Sequence, residues 1–258
     1  MGEHVDANGV HTYYDEHGSG EPLVLMHGGL SSGDDMGMQT PALAEQYRVV
    51  VPDRRGHGRT ADVDGPITYE VMADDTIAFM EALDTGAAHL VGWSDGGNVA
   101  LLVAIKRPDL ARKVVTMGSN SRADAYVEGV RAMFDPGAAV SAIPTLRDAW
   151  SALSPDGPDH FPVFLDKMLD CFFGDYAIPT PDLARISAPA LLIVGDDDII
   201  RWDHTIELFE TIPNAQLASI PGASHIAPIE KPELVNRLIL DFLAEEGPAE
   251  TLMPLRRG

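Results

Sequence analysis

The chain has 258 residues, 45% of them hydrophobic, which fits a single folded domain with a sizeable core and one insertion. Its 40 acidic and 18 basic residues give a formal charge of −22, which argues against anionic partners such as nucleic acids and acidic membrane surfaces. Cys171 is the single cysteine, so an intrachain disulfide is excluded. The first residues lack a signal-peptide pattern, and no apolar run approaches the ~18 residues of a membrane span, so we predict a cytoplasmic protein.

Short apolar runs alternate with helical patterns along most of the chain. The predicted strands cover residues 11–16, 23–26, 48–51, 88–91, 113–117, 189–194 and 216–220. Tyr69–Leu83 has the apolar period of a helix, and a second helix follows from Val99 to Ile105. This alternation predicts an α/β fold with a mostly parallel central sheet and helices on both faces. We assign residues 1–118 and 186–246 to this core domain and residues 247–258 to a loose tail.

The strand pattern stops between residues 119 and 185. Helices are predicted there at Ala123–Phe134, Leu146–Leu153 and Phe161–Phe173, with breaks at 135–137 and 154–158. The last of these helices carries more apolar side chains than one packed face needs, so we expect most to pack on the core and a few to line a pocket. The segment 119–185 is therefore predicted to be a helical lid that excludes water from a site beneath it.

A Gly-x-Ser-x-Gly pentapeptide, Gly92 to Gly96, lies between a predicted strand and a predicted helix. In that context the pentapeptide is typical of a nucleophile elbow. Small residues two positions before and after the serine remove side chains that would collide in so sharp a turn. The hydroxyl would stand at a helix N-terminus, where backbone N–H groups favour developing negative charge. We predict that Ser94 is a nucleophile; the alternative is a tight glycine turn with an uninvolved serine.

A serine nucleophile needs a base and a group that orients the base. The last two predicted strands end in Gly195-Asp196-Asp197-Asp198 and in Pro221-Gly222-Ala223-Ser224-His225. Because functional groups gather at the carboxyl ends of parallel strands, His225 and one of these aspartates are expected beside Ser94. His27 is expected to brace its own loop. The remaining histidines considered are expected to be polar surface residues: His4, His11, His17, His89, His160 and His204.

Five short segments of the chain form a further pattern: His27-Gly28-Gly29, Asp53–Thr60, Gly92-x-Ser94-x-Gly96, Gly195-x-x-Asp198 and Gly222-x-x-His225. Together they resemble the α/β-hydrolase superfamily, in its lid-bearing esterase-like branch. The similarity covers about Val10 to Leu243, and Gly92–Gly97 also resembles the valacyclovir-hydrolase-like (biphenyl-hydrolase-like) subgroup. The resemblance implies an α/β-hydrolase fold with a triad of Ser94, His225 and Asp198. Asp196 remains the alternative acid.

The resemblance also implies an oxyanion hole made of two backbone N–H groups. One belongs to Asp95 and the other to Gly29, with Leu30 as the alternative. We expect Leu30, Trp93 and Asp95 to contact substrate. Two interpretations of the Asp95 carboxylate are open: it pairs with a cationic group of the substrate, such as the α-amino group of an aminoacyl ester, or it bonds to nearby backbone.

The predicted reaction is hydrolysis of a small-molecule carboxylic ester, or a related acyl bond, through an acyl-enzyme on Ser94. No metal and no organic cofactor is expected. The same triad on this fold can serve a C–C bond hydrolase, a perhydrolase or a lyase, or persist in a slow-turnover ligand-binding protein. A small-molecule substrate is the one partner that we predict, and both a monomer and a homodimer remain open.

Overall fold

The core of the protein is an eight-stranded sheet, seen in a computed structural model that describes residues 2–135, 141–247 and 251–253. The strands are β1 (Glu3–Ala7), β2 (Val10–His17), β3 (Glu21–Met26), β4 (Tyr47–Pro52), β5 (Ala88–Trp93), β6 (Ala111–Met117), β7 (Ala190–Asp197) and β8 (Ala215–Ser224). Their order across the sheet is β1-β2-β4-β3-β5-β6-β7-β8. The pairs β1–β2 and β2–β4 are antiparallel, and the other pairs are parallel. The prediction of a mostly parallel sheet is confirmed.

Helices pack on both faces of this sheet. They are α1 (Thr40–Ala44), α2 (Tyr69–Ala82), α3 (Asp95–Lys106), α4 (Ile143–Leu153), α5 (Phe161–Phe173), α6 (Thr180–Leu183), α7 (Trp202–Thr211), α8 (Ala227–Glu230) and α9 (Pro232–Ala244). Successive residues of a strand point to opposite faces, so β3 contributes Val24 and Met26 to the apolar core under α2 and α3. Leu23 and Leu25 join the second core, under α1 and α9. Burial on both faces explains why the parallel strands are continuous apolar runs.

Three loops meet at the carboxyl edge of the sheet. Ser94 follows the last residue of β5, Asp198 follows the last residue of β7, and His225 follows the last residue of β8. These strands lie close together in the sheet, because only β6 separates β5 from β7. Residues more than 100 positions apart in the chain are thereby brought to one place.

Two secondary-structure predictions differ from the structure. Strand β1 was not predicted, because its alternating polar and exposed residues give no apolar run. The helix predicted at Ala123–Phe134 is wrong: two short 3₁₀ segments, Ala123–Ala125 and Val130–Phe134, stand there instead. The N–H of Val127 donates to the carbonyl of Ile199, which follows β7, and Gly129 has a φ of 91°. Both features interrupt a continuous helix.

The insertion between β6 and β7 contains α4, α5 and α6. The break predicted at 135–137 falls mostly outside the described residues, as does most of the tail predicted at 247–258. Within the described part of the chain, no helix is both long enough and apolar enough to cross a membrane.

Candidate active site

Ser94 sits in a strained turn between β5 and α3. Its φ of 52° and ψ of −116° are unusual for a residue with a side chain. A Cβ atom added to Gly92 would lie 2.2 Å from the carbonyl carbon of Gly96, and one added to Gly96 would lie 2.4 Å from the carbonyl oxygen of Met26. The two glycines are therefore required by close backbone contacts. The turn places the serine hydroxyl at the N-terminus of α3, in the arrangement expected of a nucleophile elbow.

A chain of hydrogen bonds joins Ser94, His225 and Asp198. His225 Nε2 lies 3.0 Å from Ser94 Oγ, and His225 Nδ1 lies 2.8 Å from Asp198 Oδ1. The same Asp198 oxygen accepts the N–H of Ile200 at 3.0 Å, which fixes the carboxylate. A neutral imidazole that donates its Nδ1 proton to Asp198 presents the Nε2 lone pair to the serine hydroxyl. This is the geometry of a general base held by an acid.

Asp196, the alternative acid, has a different position. Its Oδ1 accepts the N–H groups of Gly222 and Ala223, at 2.8 and 3.2 Å. These bonds lower the pKa of Asp196 and tie the end of β7 to β8. The structure therefore brings Asp198, and not Asp196, to the histidine.

The predicted oxyanion-hole residues lie beside the serine. Asp95 is the first residue of α3, where a backbone N–H has no intrahelical acceptor. A Cβ atom on Gly29 would lie 2.3 Å from Asp95 Oδ2, so the two residues are in close contact. The N–H of Leu30, the alternative donor, is directed instead to His57 Nε2 at 3.2 Å. The geometry thus favours Gly29 over Leu30 as the second donor.

A mainly apolar cavity of about 430 Å³ opens above Ser94 and His225. Leu30 and Asp95, both predicted to contact substrate, line it. The insertion supplies much of the rest, including Tyr126, Met133, Leu146, Phe172 and Phe173. Among the described residues that line the cavity, His225 is the only one whose side chain can become cationic.

Trp93 does not line this cavity, contrary to the prediction that it contacts substrate. Its side chain points to the opposite face of the sheet, where it joins the core under α1 and α9. Successive residues of a strand face opposite ways, and the residue before Ser94 is therefore turned away from the site. The indole Nε1 donates to the carbonyl oxygen of His225 at 2.9 Å, so Trp93 holds the histidine loop from behind.

The Asp95 carboxylate is buried, with 1% of the residue exposed. Its Oδ1 accepts the hydroxyl proton of Tyr69 at 2.8 Å, whereas Oδ2 has no hydrogen-bond partner among the described residues. Burial raises the pKa of Asp95, and the opposing charge of Arg54 and the Tyr69 hydrogen bond limit the rise. Oδ2 is itself buried and lies next to Gly29.

Several histidines are more deeply placed than expected. His89 and His204 are buried, so the prediction that they are polar surface residues is wrong. His89 packs edge-to-face against Tyr47 of β4, and His204 Nε2 accepts the N–H of Ser121 at 3.0 Å. His27 braces its loop as predicted: its Nε2 accepts the N–H of Arg54 at 3.2 Å. His57, to which the sequence pattern assigned no role, is fully buried beside Leu30.

Comparison with known proteins agrees with this fold. Residues 23–238 match the profile of the Alpha/beta hydrolase family. The serine hydrolase BPHL of Homo sapiens is 30% identical over 93% of this chain and 85% of its own length. The 2-hydroxymuconate semialdehyde hydrolase of Pseudomonas sp. (strain CF600) is 26% identical, with 96% of each chain covered. The solved structure of Est816, described as an N-acyl homoserine lactone degrading enzyme, has 26% identity and a TM-score of 0.75, covering 93% of this chain and 100% of that one.

The family profile spans most of the chain, including Ser94, Asp198 and His225. The protein therefore belongs to the alpha/beta hydrolase family and is an enzyme of the α/β-hydrolase superfamily. Its relatives carry names for different substrates, so family membership does not identify the substrate.

Proposed function

We propose that the protein is a serine hydrolase that cleaves small-molecule carboxylic esters through an acyl-enzyme on Ser94. The observation that carries the proposal is the hydrogen-bonded series of Ser94, His225 and Asp198 at the base of an apolar cavity. The likeness to Est816, whose printed description names a lactone, also supports an ester, because a lactone is a cyclic ester.

In this mechanism His225 takes the proton of Ser94 as the hydroxyl attacks the ester carbonyl. Asp198 keeps the ring in the required tautomer and stabilises the imidazolium. The N–H groups of Gly29 and Asp95 hold the negative oxygen of the tetrahedral intermediate. His225 then protonates the leaving alcohol, and water attacks the acyl-enzyme with His225 again acting as base.

The insertion, residues 119–185, has the position of a lid in this proposal. Its aromatic side chains Phe172 and Phe173 line the cavity with Tyr126 and Leu146. Apolar walls exclude water from the acyl-enzyme and strengthen hydrogen bonds to the oxyanion, because the local dielectric is low. They favour an acyl or alcohol group that is itself apolar.

The charges around the cavity favour neutral or cationic substrates over anionic ones. The described lining has no Lys or Arg side chain to bind a carboxylate, and it includes the acidic residue Asp95. We infer that the negative charge of Asp95 favours a cationic substituent near the scissile carbonyl, such as the α-amino group of an aminoacyl ester.

The test combines a panel of p-nitrophenyl esters with a fluorophosphonate probe. We expect turnover of short neutral esters and labelling of one serine. Ser94→Ala should lower kcat by about 10⁶-fold and abolish labelling. Ser224→Ala is the matched control, because Ser224 also lines the cavity but its hydroxyl donates to Glu230. A Ser94→Ala variant that kept a tenth of wild-type turnover would contradict the mechanism.

Labelling of Ser94 without turnover of any ester would instead favour the slow-turnover binding protein or a reaction other than ester hydrolysis. The probe reports a reactive serine, and the esters report deacylation by water, so the two measurements separate these functions.

A further inference from the structure

The carbonyl group of Gly28 is held by two buried donors. Arg54 Nη2 donates to it at 2.9 Å and to the neighbouring carbonyl of His27 at 2.5 Å. His27 Nδ1 lies 2.6 Å from the same Gly28 oxygen. His27 Nε2 accepts the backbone N–H of Arg54, so the neutral ring carries its proton on Nδ1 and donates it to Gly28.

These contacts fix the direction of the N–H group of the next residue, Gly29. No cis peptide bond occurs among the described residues, and in a trans peptide the C=O and N–H groups point in opposite directions. A Gly28 carbonyl directed at Arg54 therefore turns the N–H of Gly29 to the other side. Gly29 lines the cavity with Ser94, and a Cβ atom on Gly28 would lie 3.6 Å from Ser94 Cβ, so that side is the catalytic one.

The next peptide group, between Gly29 and Leu30, is held as well. Leu30 has a φ of 55°, and its N–H donates to His57 Nε2. His57 Nδ1 lies 2.8 Å from the carbonyl of Arg55, so the ring donates from Nδ1 and accepts at Nε2. Burial and the charge of Arg54 lower the pKa of His57 to about 3, so the ring stays neutral and keeps this acceptor at neutral pH.

We propose that Arg54 is a positioning residue for the oxyanion hole, and that it keeps the Gly28–Gly29 peptide turned so that the Gly29 N–H faces the reacting carbonyl. His57 completes the support from the opposite end of the loop. A peptide without these contacts can rotate and present a carbonyl oxygen to the oxyanion, which is repulsive. This inference rests on the proposed function, because it assigns Arg54 to the oxyanion hole of that reaction.

A purely structural role for Arg54 makes a different prediction. The neighbouring Arg55 belongs to the same turn and is also buried, but it pairs with Asp75 on α2, away from the oxyanion loop. Removal of either guanidinium leaves a buried group without its partner, and each loss should destabilise the fold. Only the loss at Arg54 should change the oxyanion hole.

The experiment measures the saturable labelling of Ser94 by a fluorophosphonate in wild type, Arg54→Met, Arg54→Lys and the control Arg55→Met. The phosphoryl oxygen of the probe occupies the oxyanion hole as the bond to Ser94 forms. We expect Arg54→Met to lower the maximal labelling rate and kcat by about 100- to 1,000-fold, the loss typical of one oxyanion donor, with the half-saturating concentration and KM changed little. Arg54→Lys should keep part of the rate, because one ammonium group can still reach a carbonyl.

The maximal labelling rate of Arg55→Met should stay within about threefold of the wild-type rate, even if urea unfolding shows that the variant is less stable. Equal rate losses in Arg54→Met and Arg55→Met, or an unchanged maximal rate in Arg54→Met, would overturn the inference. If Arg54→Met fails to fold, Arg54→Lys decides: wild-type labelling kinetics in that variant would also overturn it, because the shorter lysine side chain places its ammonium group farther from the two carbonyls.

The readout separates this inference from the proposed function. Wild-type protein that labels at Ser94 but turns over no ester would contradict the ester hydrolase, while the labelling rates of the variants would still judge Arg54. A wild-type protein that neither labels nor turns over would overturn both.

Discussion

Replacing Asp95 with Asn tests the charge of the cavity wall at constant shape. Asn keeps an oxygen for the hydroxyl of Tyr69, which now donates to Asp95 Oδ1 at 2.8 Å. It also leaves the backbone N–H at the start of α3 in place. The substitution therefore removes the negative charge of Asp95, whose Oδ2 has no hydrogen-bond partner among the described residues, and with it the charge that faces Arg54.

The size of the effect follows from burial and from the neighbouring charge. Arg54 lies close enough to stabilise the Asp95 carboxylate and to offset part of its field. A charge-assisted hydrogen bond contributes about 1.5–3 kcal/mol, and this offset places the expected selectivity change near the lower end, about 1–2 kcal/mol or 5- to 30-fold. Wild type should prefer an α-amino ester over its neutral counterpart by that factor, and Asp95→Asn should lose the preference.

The assay compares kcat/KM for the ester pair in both proteins across pH. Because burial raises the pKa of Asp95, acidification should neutralise it earlier than an ordinary carboxyl, and the wild-type preference should decline as the pH falls through that raised pKa. The preference of Asp95→Asn should not vary with pH in this way. An equal loss of kcat/KM on both esters would refute substrate contact and make Asp95 a structural partner of Tyr69.

Three further predictions concern the triad, the histidine loop and acid stability. Asp198→Asn should lower kcat by about 10⁴-fold by favouring the wrong tautomer, whereas Asp196→Asn should leave kcat within about threefold of wild type; ester hydrolysis by the two variants checks this. Trp93→Phe, which removes an indole donor, should cost about 1 kcal/mol in urea unfolding and lower kcat more than it changes KM. Burial lowers the pKa of His204 to about 4, so the unfolded chain binds a proton that the native state refuses, and stability should fall as the pH drops from about 6.5 towards 4. Urea unfolding at pH 7 and 5 should show that the loss of stability over this range is smaller by about 2 kcal/mol in His204→Gln than in wild type; an equal loss in both proteins would contradict this.

Much of the fold is readable from the sequence because its central strands are buried on both faces. Such strands appear as short apolar runs, and β3 to β8 were each predicted within a few residues of their ends. The edge strand β1 has no such run and was missed. The segment Ala123–Phe134 has a helical composition, but contacts with Ile199 and Ile200 on a distant part of the chain override the local preference.

The candidate site likewise has residues that the sequence predicts and residues that it does not. Ser94 and His225 stand in local patterns of glycine, strand and helix that can be recognised without a structure. The role of Trp93 depends on which face of β5 it occupies, and its place beside the serine in sequence was misleading. Arg54 bonds to the carbonyls of His27 and Gly28, 27 and 26 positions earlier in the chain, and no sequence pattern predicts such a bond to the backbone.

The strained residues of the chain show why the site needs this support. Among the described residues, four that are not glycine have positive φ: Asn8, Leu30, Asp84 and Ser94. Asn8 and Asp84 are turn residues of the types that tolerate this conformation. Leu30 and Ser94 are not, and each costs on the order of 1–3 kcal/mol unless its surroundings enforce it.

Both of these residues are held in place by hydrogen bonds. The N–H of Ser94 donates to the carbonyl of Met117 at 2.7 Å, and the Ser94 carbonyl accepts the hydroxyl of Ser119 at 3.1 Å. His57 holds Leu30 in the same manner. The nucleophile and the oxyanion loop are thus each fixed by groups that take no part in the chemistry. A loss of activity in variants of these supporting groups can therefore arise without any change in the triad itself.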